Sequence, residues 1–221
     1  SQESLARAQY RMKFEELFFV QLQLGLKKYH RKQRIKGIAF PKIGHYFNNF
    51  FHNHLPFPLT DAQKRVVREI RTDLNSDAQM NRLLQGDVGS GKTIVAVLCI
   101  LMALDNNMQA TLVAPTEILA QQHYNSIQSL LAPLSIEIGL LTGSVSKKER
   151  EPLFEKLDNG QLQMLIGTHA ILEEPVSFHQ LGLAIVDEQH RFGVAQRAKL
   201  WRKNDTPPNI LVMTATPIPR T

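Results

Sequence analysis

The stretch LLQGDVGSGKTIVAVLCILMAL, residues 83–104, decides the fold of this chain. Its apolar beginning predicts a short strand, and Gly86–Thr93 matches G-x-x-x-x-G-K-[ST] at every fixed position. Eleven apolar residues follow and predict a helix. Glycines let backbone N–H groups close around a polyphosphate at the positive end of such a helix. The stretch therefore predicts a phosphate-binding loop, and a glycine-rich turn with an unrelated lysine is the weaker alternative.

Short apolar segments alternate with helical patterns through most of the chain, which indicates βαβ units in a mainly parallel α/β sheet with helices on both faces. Before them, residues 4–34 lack proline and have apolar residues at helical spacing, so we expect one long helix. Pro56 and Pro58 mark a boundary. We therefore expect a helical extension in residues 1–55 and the α/β domain in residues 56–221. The segments predicted as strands are NRLLQGD, QATLVAP, IEIGLLT, QMLIGT, LGLAIVD and NILVMTA.

Composition excludes several classes of protein. The longest apolar run, residues 94–104, is too short to span a membrane, and no signal peptide opens the chain, so a cytoplasmic location is expected. The single cysteine, Cys99, lies inside that run and predicts a buried thiol rather than a nucleophile.

The net charge of +6 comes from residues 1–60, which hold ten Lys/Arg against three Asp/Glu. Such a basic segment binds nucleic-acid phosphates in some proteins and is a solvent-exposed helix face in others. Charge alone leaves both interpretations open. Aromatic residues cluster in HYFNNFFHNHLPF, residues 45–57, where packing is favoured over base stacking. The long helix has two apolar faces, which predicts packing on two sides.

A phosphate-binding loop of this kind works with a carboxylate that holds Mg²⁺, and LAIVDEQH supplies two acids after an apolar strand. Asp187 and the hydroxyl of Thr93 are predicted to hold Mg²⁺, Glu188 to orient or activate the attacking water, and Lys92 to reach the outer phosphates. Acids at a helix N-terminus are the alternative reading. His190 has no His or Cys nearby at the spacing typical of metal ligands. It is interpreted as a polar relay or as a histidine whose hydrogen bonds are made within the fold.

Other loops separate a motor ATPase from the remaining nucleotide-binding classes. A switch GTPase normally has an N-K-x-D segment, and this sequence has none. The segments APTEILAQQH, LLTGS, IGTHAIL and MTATP each follow an apolar strand, so they should lie with the phosphate-binding loop at the carboxyl edge of the sheet. Taken singly, each segment is also compatible with a capped helix or a turn.

Together and in this order, the segments resemble the superfamily 2 helicases. Four segments are most similar to those of the RecG-type ATP-dependent DNA helicases: GDVGSGKT, DEQHRFGV, TATPIPRT and the N-terminal FEELFFVQLQL. The resemblance implies a RecA-like motor domain that uses ATP and Mg²⁺ and belongs to an enzyme that remodels replication forks and Holliday junctions in branched double-stranded DNA. Transcription-repair coupling translocases share HRFGV and TATPIPRT but usually carry DEEH. A non-hydrolysing ATP-binding interaction module is an alternative from another class.

The resemblance also implies site residues. Contacts to the nucleotide are expected from Phe57, Gln63, Gly86, Asp87, Val88, Gly89, Ser90, Gly91, Lys92 and Thr93. For Gln63, a capping box with Thr60 is a second reading of the same residue. Contacts to the DNA backbone are expected from Thr116, Thr142, Gly143, Thr168 and His169. Coupling between nucleotide and DNA is expected from Gln189, His190, Thr214 and Thr216.

The family pattern includes a wedge domain and a second motor domain, which we expect elsewhere in the same polypeptide. The resemblance implies that arginines of the second motor domain complete the ATP site. Arg191 and Arg220 are the local arginines that flank motifs, and we expect neither to replace them. The 221 residues alone are therefore expected to hydrolyse ATP negligibly.

Overall fold

A computed structural model of the chain describes residues 2–188 and 206–215. The chain forms two compact units, residues 1–36 and 37–221. Within the described residues, no helix combines the length and the hydropathy needed to cross a membrane.

The first unit is one long helix, α1 (Gln2–Arg34), which confirms the helix predicted from the apolar spacing. Ion pairs one turn apart, such as Glu3 with Arg7, lie along it. Its apolar side chains are exposed, and the rings of Phe14 and Phe18 stack with 5.9 Å between their centroids. That this helix packs on two faces stays a prediction.

Six parallel strands form the sheet of the second unit, in the order β1-β6-β5-β2-β4-β3. Each apolar segment predicted as a strand forms one of them, which confirms the parallel sheet. The strands are β1 (Asn81–Gln85), β2 (Gln109–Val113), β3 (Ile138–Leu141), β4 (Met164–Gly167), β5 (Leu181–Asp187) and β6 (Asn209–Thr214).

Helices cover both faces of this sheet because successive side chains of a strand point to opposite faces. Along β5, Leu183 and Ile185 belong to one apolar cluster, whereas Ala184 and Val186 belong to a second. The first cluster contains α3 (Asp61–Leu74), α4 (Lys92–Asp105) and α5 (Glu117–Leu131), and the second contains a residue of α6 (Lys147–Asp158). Shorter turns are α2 (His45–Asn49), a π-helical turn at Phe50–His54, and 3₁₀ turns at Ala132–Leu134 and His169–Leu172.

Helix α4 lies in the centre of the core. Its eleven residues from Ile94 to Leu104 are all buried, which explains why the sequence shows no polar face there. Cys99 is fully buried, and this burial raises the pKa of its thiol to about 12. The prediction of a buried structural thiol is confirmed.

The carboxyl end of α4 holds the first turn of α2. The Asp105 carboxylate accepts hydrogen bonds from the backbone N–H groups of Gly44 (2.8 Å), Tyr46 (2.9 Å) and Phe47 (3.1 Å). Phe50, which follows α2, is fully buried in the core. The expected packing role of the aromatic cluster is confirmed for Phe50.

Candidate functional site

The glycine-rich loop connects β1 to α4, as predicted. Gly89 and Gly91 have φ angles of 81° and 79°, which L-residues with a side chain rarely adopt. A Cβ atom on Gly91 would also collide with Nε2 of Gln63. Two of the loop glycines are therefore favoured by backbone conformation, and a side chain at Gly91 would in addition displace the amide of Gln63.

Lys92 is folded back onto this loop. Its Nζ donates hydrogen bonds to the carbonyl oxygens of Gly86 (2.6 Å) and Asp87 (2.8 Å). A lysine ammonium has three N–H donors, so two are directed into the loop. The only side-chain cation of the motif thus lies where the glycine-rich loop would surround a phosphate.

Gln63 connects α3 to the loop. It forms a capping box with Thr60: the backbone N–H of Gln63 donates to Oγ1 of Thr60 (3.2 Å), and the N–H of Thr60 donates to Oε1 of Gln63 (2.9 Å). Nε2 of Gln63 donates to the carbonyl oxygen of Ser90 (2.9 Å). The capping box is confirmed, and the contact with the loop was not apparent from the sequence. Phe57 is 47% exposed.

The two acids lie at the carboxyl end of β5. Asp187 is buried, whereas Glu188 is partly exposed and has a φ angle of 50°, an unusual value for glutamate. The Glu188 carboxylate accepts hydrogen bonds from the hydroxyl of Thr214 and from the backbone N–H of Ala215, each at 3.2 Å. These bonds hold the acid against the end of β6.

The end of β6 joins the acids to the glycine-rich loop. The carbonyl oxygen of Thr214 accepts the N–H of Gly86 (3.2 Å), while the carbonyl oxygen of Met213 accepts the N–H of Glu188 (2.9 Å). Thr214 therefore contacts both candidate catalytic segments, one through its backbone and one through its side chain. This arrangement requires β6 between β1 and β5, which the strand order provides.

His123 is a site residue that sequence reasoning missed. Its Nε2 lies 2.7 Å from Oδ2 of Asp187, and the two side chains are 15% and 12% exposed. The segment APTEILAQQH ends with this histidine, but nothing in the pattern pairs it with an acid 64 residues later.

A second group of loops lies at the same edge of the sheet. Thr116 caps helix α5 by accepting the N–H of Leu119 (3.3 Å). In the loop after β3, the hydroxyls of Thr142 and Ser144 lie 2.8 Å apart. Thr142 is 4% exposed, whereas Gly143 and Ser144 are exposed and form the outer surface of this loop.

Charged side chains on both sides order the loop after β3. Nη2 of Arg150 donates to the carbonyl oxygens of Thr142 (3.1 Å) and Gly143 (3.2 Å). The N–H of Ser144 donates to Oε1 of Glu117 (3.1 Å), and a Cβ on Gly143 would lie 2.9 Å from that oxygen. The loop and α5 border an open cleft of 360 Å³ whose lining includes Glu117, Gln121, Gln122, Asn125, Thr142 and Ser144. Neither Arg150 nor Glu117 was predicted from the sequence.

The loop after β4 contains the last predicted DNA contacts. His169 is exposed at the start of a 3₁₀ turn. Thr168 is 2% exposed, and within the described chain its hydroxyl is a buried oxygen without a hydrogen-bond partner. The structure therefore presents His169, rather than the Thr168 side chain, at the surface.

Some predicted positions lie outside the described residues. These are the coupling residues Gln189, His190 and Thr216, and the flanking arginines Arg191 and Arg220.

The donor set fits ATP with Mg²⁺ rather than an all-protein metal site. No group of three or more His, Cys, Asp or Glu side chains in the described residues could hold a metal ion. Mg²⁺ usually takes one or two protein oxygens and completes its shell with phosphates and water. The predicted Mg²⁺ ligands, the Asp187 carboxylate and the Thr93 hydroxyl, match such a small set, and the loop with Lys92 is the predicted phosphate site.

Comparison with known proteins identifies the family. A family model described as DEAD/DEAH box helicase matches residues 60–221. The ATP-dependent DNA helicase RecG of Synechocystis sp. is 50% identical over 219 residues, which cover 99% of this chain and 26% of the relative. RecG of Bacillus subtilis is 46% identical over 221 residues, which cover 100% of this chain and 32% of the relative. The chain thus spans about a quarter to a third of the length of these relatives.

Comparison with solved structures also finds similarity to RecG. A structure of RecG bound to a three-way DNA junction superposes with a TM-score of 0.77 at 43% identity, covering 93% of this chain and 27% of that one. A structure of Dbp5 from S. cerevisiae superposes with a TM-score of 0.58 at 16% identity, covering 80% of this chain and 48% of that one, and supports the fold alone. The predicted RecA-like α/β fold is confirmed. Because the family model covers well over half of its length, the chain belongs to the DEAD/DEAH box helicase family.

Proposed function

We propose that this chain is the ATP-binding motor domain of a DNA translocase that remodels branched double-stranded DNA, including forks and Holliday junctions. One observation carries the proposal: Thr214 bonds to Gly86 through its carbonyl oxygen and to Glu188 through its hydroxyl. The phosphate-binding loop, the acids and the end of β6 thus form one hydrogen-bonded unit. Such a unit is suited to coupling the state of a nucleotide to the neighbouring loops.

In this proposal the loop residues bind and orient ATP. Lys92 exchanges its two carbonyl partners for outer phosphate oxygens, and backbone N–H groups of the loop surround them. Thr93 and Asp187 hold Mg²⁺, which neutralises charge on the phosphates when bound. Glu188 orients the attacking water and accepts its proton.

Gln63 and Phe57 provide the proposed adenine contacts. The amide of Gln63 offers both a donor and an acceptor, which matches the edge of adenine and not that of guanine. Binding would exchange its bonds to Ser90 and Thr60 for bonds to the base. Phe57 is exposed enough to stack on it.

DNA is proposed to contact the loops at the carboxyl edge of the sheet. The candidate contacts are Thr116, Thr142, Gly143, Thr168 and His169, of which Gly143 and His169 are exposed and Thr142 and Thr168 are buried in this structure. Contacts of this kind bind phosphates without reading bases, as a translocase requires. The junction-bound RecG structure supports branched DNA as the partner.

We further propose that residues 1–55 are the helical extension and residues 56–221 the motor domain, in a protein that also has a wedge domain and a second motor domain. The family model, which starts at residue 60, and the partial coverage of the relatives support this division. Arginines from the second domain would complete the ATP site, so the chain alone should hydrolyse ATP negligibly. A cytoplasmic location is part of the same proposal.

The test compares steady-state ATP hydrolysis by residues 1–221 with that of the parent protein extended through its second motor domain, both with a three-way DNA junction. Hydrolysis stimulated by the junction in the longer protein, and at least ~10³-fold slower in the chain alone, is expected. Equal turnover would contradict the split site. No turnover in the longer protein, despite ATP binding, would instead favour the non-hydrolysing interaction module.

A further inference from the structure

We propose that His123 is a positioning residue for the Mg²⁺-binding carboxylate: it fixes Asp187 against helix α5 so that the carboxylate is oriented before Mg²⁺ and nucleotide bind. The inference rests on the proposed function, since that function makes Asp187 a metal-binding group. It adds a residue outside the glycine-rich loop and the acidic pair to the ATP site.

The contact itself is short and sheltered from water. Nε2 of His123 and Oδ2 of Asp187 are 2.7 Å apart, and both side chains are more than four-fifths buried. An ionised carboxylate only accepts hydrogen bonds, so Nε2 carries the hydrogen and donates it. Hydrogen bonds to a charged acceptor are shorter and stronger than neutral ones, which matches this distance.

Only one carboxylate oxygen is used by this bond. The imidazole contacts Oδ2 of Asp187. Holding this oxygen restricts rotation of the carboxylate about its Cβ–Cγ bond. Outer partners of this kind orient metal-binding groups, and their loss typically lowers metal affinity about 10- to 100-fold.

The fold holds both partners rigidly. Strands β2 and β5 are neighbours with Val113 opposite Val186, so the helix that follows β2 begins beside the end of β5, and its body packs on β3 and β4. His123 lies on α5 between Ala120 and Ile127, which are fully buried and attach this face of the helix to the core. The backbone of His123 is therefore attached to the core through this face of the helix.

The same helix begins at the proposed DNA contacts. Thr116 is its N-cap, and His123 lies seven residues later, about two turns or ~10 Å along the axis. His123 therefore attaches the carboxylate to the helix whose first turn also carries Glu117, the acceptor for the loop after β3. If His123 had only a structural role in the core, its replacement would lower stability and leave the Mg²⁺ dependence of nucleotide binding unchanged.

The experiment measures binding of a fluorescent ADP analogue to the 221-residue chain over a series of Mg²⁺ concentrations and in EDTA. His123→Leu removes the donor, and His123→Asn keeps an amide that is too short to reach Asp187. His123→Gln keeps a donor near the position of Nε2. Gln128→Ala is the matched control, because Gln128 is exposed on the same helix and its side chain bonds to the hydroxyl of Tyr124 instead. Thermal unfolding is recorded for every variant.

The Mg²⁺ concentration required for half-maximal binding should rise about 10-fold or more in His123→Leu and His123→Asn. It should stay within about threefold of the unmutated value in His123→Gln and Gln128→Ala, and affinity in EDTA should be the same for all four. If His123→Leu does not fold, His123→Asn decides the result.

An unchanged Mg²⁺ requirement in folded His123→Leu or His123→Asn would overturn the positioning role and leave the proposed function intact. An equal rise in His123→Gln would also overturn it, because the donor would then not be the active feature. Absence of nucleotide binding by the unmutated chain, or binding that Lys92→Ala does not weaken, would contradict the proposed function and the inference together.

Discussion

Replacing Lys92 with alanine tests the phosphate-binding loop directly. In the structure the ammonium bonds to two neutral carbonyl oxygens at 2.6 and 2.8 Å. Nucleotide binding would replace these partners with charged phosphate oxygens. The variant therefore loses interactions that are stronger in the bound state than in the free state, which is the condition for an effect on affinity.

The size of the effect follows from the number of donors involved. A hydrogen bond to a charged group contributes about 1.5–3 kcal/mol, so one or two such bonds contribute about 1.5–6 kcal/mol; we expect a net loss of about 2–4 kcal/mol, because the carbonyl contacts of the free state are lost as well. That loss corresponds to a Kd raised roughly 30- to 1,000-fold. Gly86 is partly exposed and Asp87 is exposed, so we expect water to replace the ammonium and the free energy of unfolding to change by no more than about 0.5 kcal/mol.

The assay is titration of Lys92→Ala with a fluorescent ADP or ATP analogue in excess Mg²⁺, with guanidinium unfolding as the check on stability. Lys64→Ala is the matched control, because it removes the same charge from an exposed side chain on α3 whose ion pair with Asp61 spans 3.5 Å. A Kd for Lys92→Ala within threefold of that for Lys64→Ala would refute the assignment of the loop as the phosphate site.

The other predictions concern recognition of adenine, the bonds of Asp105 to the start of α2, the thiol of Cys99 and binding to DNA. Gln63→Ala should reduce the preference for ATP over GTP, measured as a ratio of Kd values; equal affinity of the unmutated chain for both would remove the adenine role. Asp105→Ala leaves three backbone N–H groups without their acceptor and should lower the free energy of unfolding by about 2–4 kcal/mol in guanidinium titrations. Because the pKa of Cys99 is raised to about 12, its thiol should react with an aromatic disulfide reagent only after unfolding. The raised pKa of Cys99 also makes the free energy of unfolding depend on pH. The contribution of the thiol is fully present below pH ~8.5 and is lost progressively as the pH rises toward 12, because the thiol of the unfolded chain ionises first. Binding to DNA should be independent of sequence and should fall with salt at a log-log slope of about −3 or steeper, and a salt-independent interaction would argue against phosphate contacts.

The sequence by itself determined the elements and the local chemistry of this protein. All six strands, the helix α1 and the loop at Gly86–Thr93 could be predicted, because each depends on the period of apolar residues or on glycines within a few positions. The capping box of Gln63 with Thr60 was predictable for the same reason, since its partners are three residues apart. Short-range patterns carry this information because the interactions they describe are themselves short-range.

Only the tertiary structure decided which of these elements meet. The strand order puts β6 between β1 and β5, and so lets Thr214 contact both Gly86 and Glu188. The bond between His123 and Asp187, and the bonds that Asp105 accepts from the start of α2, join residues about sixty positions apart. Apolar periodicity predicts that a helix packs on the sheet, but it does not predict which strands the helix contacts. Polar contacts between residues far apart in the sequence therefore depend on how the complete core packs.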